Sequence, residues 1–185
     1  MGIVFITGGA RSGKSRFAEK KAREAGNRVV YIATAQALDE EMAHRISVHR
    51  QRRPGTWKTI EEPRHLSRVL NEISKDADIS EYDAVLIDCM ALLTSNWVCS
   101  AEIGEIKQQE ALRKALLQEI ENTISAARVL EKKVIIVSNE VGLGLVPEYP
   151  LGRIYRDLLG EINQILAAAA DEVYFLVSGI PIKLK

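Results

Sequence analysis

"IVFITGGARSGKS", Ile3 to Ser15, decides the fold of this 185-residue chain. Ile3–Thr7 is an apolar, largely β-branched run suited to a strand covered on both faces. Gly8, Gly13, Lys14 and Ser15 then occupy the required positions of G-x-x-x-x-G-K-[ST], between that strand and a helical pattern that opens at Lys14. The glycines let the backbone close around phosphate oxygens. Gly9, Ala10, Arg11 and Ser12 between them add successive N–H groups, and the helix N-terminus adds its positive end. Lys14 is expected to reach the β- and γ-phosphates, and the Ser15 hydroxyl to ligate Mg²⁺. Strand, loop and helix together point to binding of a nucleoside triphosphate.

The alternation of short apolar runs and longer helical patterns continues along the chain. "RVVYIA" (Arg28–Ala33), "AVLID" (Ala84–Asp88), "VIIVS" (Val134–Ser138) and "VYFLVS" (Val173–Ser178) read as strands, and "RPGTWKTI" as a shorter one after a Pro54-Gly55 turn. Periodicity predicts helices over Lys14–Ala25, Asp39–Arg53, Arg64–Lys75, Glu105–Glu131 and Leu151–Ala170. In the helix from Glu105, the residues Ile106, Leu112, Leu116, Ile120, Ile124 and Ala127 share one face. No repeat, linker or low-complexity tract divides the chain. The expectation is one domain over 1–185, an α/β fold of the P-loop NTPase type with three layers around a largely parallel sheet. Asp88, at the tip of an apolar strand, is the expected partner of Ser15 at the Mg²⁺.

Composition narrows the function. Apolar residues make up 46% and charged residues 27%, with Lys+Arg and Asp+Glu equal at 25. This balance is globular and argues against a nucleic-acid partner, which would favour a basic excess. No apolar run approaches the ~18 residues of a membrane span, and the N-terminus begins as a strand rather than a secretory leader, so the expected location is the cytoplasm. Cys89 and Cys99 have no second pair, which fits neither a zinc site nor a disulfide framework; both read as reduced structural residues.

A second motif raises a chemical question. "AHRISVHRQRRP", Ala43 to Pro54, holds two of the three histidines among four arginines. On a helix, Arg45, His49 and Arg53 align on one face. Leu38, Met42 and Ile46 fall on nearly the same stripe, which predicts that His49 lies toward the buried side. A neutral imidazole there is a competent nucleophile, and the guanidinium groups would stabilise charge at a phosphorus under attack. Residue chemistry alone leaves open a structural histidine beside a solvated basic face. His44 points away from the stripe, and His65 has no comparable cluster.

Three stretches, Phe5–Glu19, Val29–Pro63 and Val137–Lys185, resemble the bifunctional adenosylcobinamide kinase/adenosylcobinamide-phosphate guanylyltransferase family, and the similarity extends over essentially the whole chain. The resemblance implies two reactions of cobalamin biosynthesis. Adenosylcobinamide is phosphorylated by a nucleoside triphosphate, ATP or GTP; GTP then gives GMP to the enzyme, which passes it to adenosylcobinamide phosphate. In the family GMP rides on a histidine of an H-R-x-x-R-P segment, here His49 followed by Arg50, Gln51, Arg52, Arg53 and Pro54. The resemblance further implies that Ala33, Thr34, Ala35 and Glu61 help bind guanine nucleotide, and that the enzyme is a homo-oligomer, a trimer. A carboxylate such as Glu61 can accept the N1–H and N2–H donors of guanine. After Asp88-Cys89 the family pattern carries a threonine near the phosphate site, where this chain has "MALLTSN" with Ala91. The glycine-rich "NEVGLGLVP", Asn139 to Pro147, is expected to touch substrate or nucleotide at the sheet's carboxyl edge. Two rival readings are a single-function P-loop kinase for another small alcohol, with a structural His49, and a nucleotide-dependent switch or binding module.

Overall fold

The apolar runs pair into a seven-stranded sheet in a computed structural model that describes residues 2–51, 53–76, 81–101 and 105–185. In chain order the elements are β1 (Gly2–Gly8), α1 (Lys14–Ala25), β2 (Val29–Ala33), α2 (Glu40–Gln51), β3 (Lys58–Glu61), α3 (Leu66–Ile73) and β4 (Ala84–Asp88). There follow α4 (Met90–Cys99), α5 (Ile106–Val129), β5 (Lys133–Val137), α6 (Pro150–Ala169), β6 (Glu172–Val177) and β7 (Ile180–Lys183). The strand order is β3-β2-β4-β5-β1-β6-β7. β1 to β6 run parallel, and β7 folds back antiparallel on β6.

Alternate strand residues separate into two cores, as a pleated sheet covered on both faces requires. Ile3, Phe5, Val85, Ile87, Val134 and Ile136 pack with buried residues of α3, α5 and α6. Val4, Ile6, Val29, Tyr31, Leu86 and Ile135 face the other way, against Ala18 and Ala22 of α1 and Trp57. Each fully buried aliphatic side chain contributes about 1.5–3 kcal/mol. Parallel pairing directs every strand from β1 to β6 toward one edge. Glu61, Ala33, Asp88 and Val137 lie there in a single row across β3, β2, β4 and β5.

Several expectations need correction. α4 is a helix that the periodicity did not predict, because Met90, Ala91, Leu93, Thr94 and Val98 are all buried and leave little polar face to read. β7 is short and contains Pro181, which argues against a strand everywhere except at an edge. Ile106 does not share the buried face of α5: it is 74% exposed at the helix start, while Leu112, Leu116, Ile120, Ile124 and Ala127 are buried. The largest difference concerns α2. It buries no residue at all; Leu38 is exposed, and Met42 and Ile46 are half-buried. α1 and Trp57 supply the cover on their face of the sheet, and no residue of α2 belongs to either core. Local ties hold α2 instead: the Asp39 carboxylate accepts the Met42 N–H at 2.7 Å, and Arg45 donates to Glu41 at 2.5 Å.

Candidate functional site

The loop from Gly8 to Ser15 needs its glycines for stated reasons. Gly8 and Gly13 have φ of +152° and +93°. A Cβ on Gly8 would lie 2.5 Å from the Leu176 carbonyl oxygen, and one on Gly13 3.2 Å from Gly179 Cα. The β6–β7 turn supports the loop, with the Gly179 N–H donating to the Ser12 carbonyl at 2.9 Å. Lys14 is buried and arches back, its Nζ donating to the Gly9 carbonyl at 2.6 Å. Burial holds the Lys14 pKa below the ordinary lysine value, against the opposing pull of Cys89 and Asp88. The hydroxyls of Ser12 and Thr7 are buried without a hydrogen-bond partner. An orphaned donor inside an anion-binding loop is costly until an acceptor arrives, and a phosphate oxygen fits that need.

Asp88 ends β4, half-buried and electrostatically coupled to Lys14. Among the described residues, no group of three or more His, Cys, Asp or Glu is arranged to hold a metal ion. Ser15, in the first turn of α1, and Asp88 offer one hydroxyl and one carboxylate. That donor set suits a hard cation taking its remaining oxygens from nucleotide phosphates and water.

The end of α2 and the segment after it come to the same region. His49 is half-buried, while Arg50 and Gln51 are exposed; Arg52 lies outside the described residues. Arg53 is inside: its guanidinium carbon sits 3.5 Å from the centroid of the Tyr31 ring, and Nη1 donates to Thr59 Oγ1 at 3.0 Å. The Tyr31 hydroxyl in turn donates to Asp88 Oδ2 at 2.9 Å. Glu19 of α1 feels both motifs. Burial raises its pKa above the ordinary carboxylate value and Asp88 adds to the rise, while His49, Arg23 and Arg53 oppose it. A cleft of about 410 Å³ runs along this side of α1, lined by Arg16, Glu19, Lys20, Arg23 and Glu24.

The remaining expected residues divide by availability. Thr34 is fully buried, and its hydroxyl donates to the Cys89 carbonyl at 2.7 Å and accepts from the Cys89 N–H at 2.8 Å. Its own carbonyl accepts from Asn96 Nδ2 at 2.8 Å. Thr34 therefore locks the ends of β2 and β4 together, and Ala33 and Ala35, both half-buried, flank it. Glu61 is exposed at the end of β3. Ala91 is 1% exposed and belongs to the core cluster that includes Cys89, Val137 and Leu159. A threonine-for-alanine difference at this position therefore lies inside the packing.

The loop from Asn139 to Pro147 adjoins the phosphate loop through the Glu140 N–H, which donates to the Gly8 carbonyl at 2.9 Å. Ser138 Oγ donates to Asn163 Oδ1 at 2.6 Å, and Asn163 Nδ2 donates to the Asn139 carbonyl at 2.9 Å. Arg153 donates to the carbonyls of Pro147 and Glu148, and Arg156 to that of Gly142. Anchored this way, the loop still exposes Leu143, Leu145 and Val146, the second of them at 96%.

Sequence reasoning missed Tyr31, Glu19 and Asn96. Only Tyr31 carried a signal: it is the one aromatic in the otherwise aliphatic run Val29–Ala33, with a hydroxyl that burial obliges to find a partner.

The chain has clear relatives among known proteins. Residues 4–184 match the family described as cobinamide kinase / cobinamide phosphate guanyltransferase. A bifunctional adenosylcobalamin biosynthesis protein of Escherichia coli K12 is 43% identical, with 99% of each chain covered. One of Salmonella typhimurium LT2 is 44% identical over 99% of each, and one of Pseudomonas aeruginosa is 43% identical over 97% of this chain and 95% of its own. Among solved structures, the RadB recombinase superposes with a TM-score of 0.53 at 16% identity, covering 94% of this chain and 73% of that one. That likeness bears on the fold alone.

Proposed function

The chain belongs to the cobinamide kinase / cobinamide phosphate guanyltransferase family, and from that premise we propose how its residues divide the two reactions. It is a bifunctional transferase of adenosylcobalamin biosynthesis. In the kinase reaction the adenosylcobinamide hydroxyl attacks the γ-phosphorus of ATP or GTP held over Gly8–Ser15, and the nucleoside diphosphate leaves. Lys14 and the loop N–H groups neutralise charge on the transferring oxygens. Ser15 and Asp88 would hold the Mg²⁺ that accompanies the triphosphate, and the ion would supply further neutralisation of phosphate charge.

In the second reaction a His49 ring nitrogen attacks the α-phosphorus of GTP. An N–P bond forms as the P–O bond to pyrophosphate breaks. A phosphate oxygen of adenosylcobinamide phosphate then attacks the same phosphorus, the N–P bond breaks, and adenosylcobinamide-GDP leaves with His49 restored. Arg50, Gln51, Arg52 and Arg53 bind the phosphates, and Ala33, Thr34, Ala35 and Glu61 bind the guanosine portion. The enzyme works as a cytoplasmic homo-oligomer, a trimer. Among the described residues no helix is long and apolar enough to cross a membrane.

The observation that carries this reading is the chain of contacts from Arg53 through Tyr31 to Asp88, which joins the histidine segment to the phosphate loop's neighbourhood. The test is incubation with Mg²⁺ and GTP labelled at the α-phosphate. The expected product is an acid-labile, base-stable protein adduct, lost in His49→Ala while that variant still phosphorylates adenosylcobinamide. Phosphorylation without any adduct would support the single-function kinase, and neither product the switch.

A further inference from the structure

Arg53 is held differently from four other arginines of the fold. Arg28, Arg45, Arg68 and Arg113 each pair with a glutamate. Among the described residues no carboxylate forms an ion pair with Arg53. Its guanidinium lies instead against the Tyr31 ring, tied on one side by the neutral Thr59 hydroxyl, and its Nε is buried without a partner. Stacking fixes the plane of a guanidinium and leaves its charge unspent. An unsatisfied buried N–H on such a group is costly unless a ligand oxygen meets it.

Tyr31 is placed to do more than fill the core. It is in register with Thr59 on β3 and Leu86 on β4, so the three side chains share one face of the sheet, with Asp88 two residues further along. Tyr31 is only 4% exposed, so its hydroxyl must find a partner within the fold. A phenylalanine would pack there equally well; the hydroxyl is used on Asp88 Oδ2.

Resting on the transfer reading above, we propose that Tyr31 is a positioning residue for guanylyl transfer. Its ring holds the Arg53 guanidinium in place, outside any direct ion pair among the described residues, for the nucleotide phosphate, while its hydroxyl orients the Asp88 carboxylate. One side chain thereby sets the histidine segment in register with the phosphate loop.

The test measures single-turnover formation of the guanylyl adduct from labelled GTP, Mn²⁺ binding to the GTP complex by electron paramagnetic resonance, and melting temperature. Tyr31→Leu and Arg53→Lys should each slow adduct formation about tenfold or more, and the double variant should be no slower than the worse single, because both remove one shared contact. Tyr31→Phe keeps the platform and should restore the adduct rate to within about threefold of wild type, while weakening Mn²⁺ binding severalfold. A merely structural tyrosine would move melting temperature without this split between Phe and Leu. Should Tyr31→Leu fail to fold, Thr59→Val removes the other tie on Arg53 and is expected to slow the adduct severalfold at unchanged melting temperature.

Three results would overturn the proposal: an unchanged adduct rate in Tyr31→Leu or, failing its folding, in Thr59→Val; losses that multiply in the double variant; or Tyr31→Phe as slow as Tyr31→Leu. Adduct formation in the wild type with such indifferent variants overturns this proposal alone. Absence of the adduct in the wild type overturns the transfer reading and the proposal with it.

Discussion

Cys89 and Cys99 share a side chain and little else. Cys89 is buried between the ends of β2 and β4, where burial and the Asp88 charge push its thiol up to about 12. Cys99 ends α4 in solvent, with a long contact of 3.8 Å to Ser95 Oγ. Since the thiolate is the nucleophile, native protein at pH 8 should take up a single iodoacetamide adduct, at Cys99, with Cys89 reacting only after unfolding. A second adduct in the native state, read by intact mass, would contradict this. Spacing alone made both cysteines structural, and it is right for one: residue type does not report which side of a buried, aperiodic helix a thiol occupies. The same limit applies to Tyr31, whose strand position announced core but whose partners, Arg53 and Asp88, come from remote parts of the chain.

At the level of elements, the turn from β3 into α3 depends on one buried acid. Burial pushes the Glu62 pKa up, but the N–H groups of His65 and Arg64 and the Arg68 guanidinium outweigh it and leave the carboxyl below the ordinary value of 4.5. Oε1 accepts both backbone N–H groups at 2.9 Å, and Oε2 accepts from Arg68 at 2.7 Å. A carboxyl depressed in this direction stabilises the fold fully above the unfolded value and loses that effect as pH falls through the folded one. Glu62→Gln should therefore cost about 1–3 kcal/mol at pH 7. The gap to wild type in urea melts should close as pH drops below the ordinary glutamate range, and a gap independent of pH would count against the role. Strands and amphipathic helices were legible because their periods record which faces are covered. α4 was not, because a helix buried nearly all round has no period to read.

Across the whole molecule, the alternating pattern led directly to the parallel sheet with Asp88 at the tip of a strand, since handed crossovers leave few alternatives; that Glu61 ends β3 in the same row is seen only in the structure. Exposure was harder to foresee. Leu143, Leu145, Val146 and Tyr149 stand open on one loop and helix entry, and Val177, Ile180, Ile182 and Leu184 on the β6–β7 hairpin and the tail that follows it. Apolar surface of this kind is ordinarily covered by another chain. Light scattering during gel filtration should give three times the 20.6 kDa chain mass, and a monomer at micromolar concentration would contradict the trimer. α2, which carries His49, contributes nothing to either core. On the proposed reading the guanylyl carrier thus sits on an element outside both cores, whereas Lys14 and Tyr31 are buried within the scaffold. Substitutions along α2 can therefore drift, or be engineered, while the scaffold melts where it did before, so that a loss of guanylyl transfer there would report a change in the proposed chemistry rather than collapse.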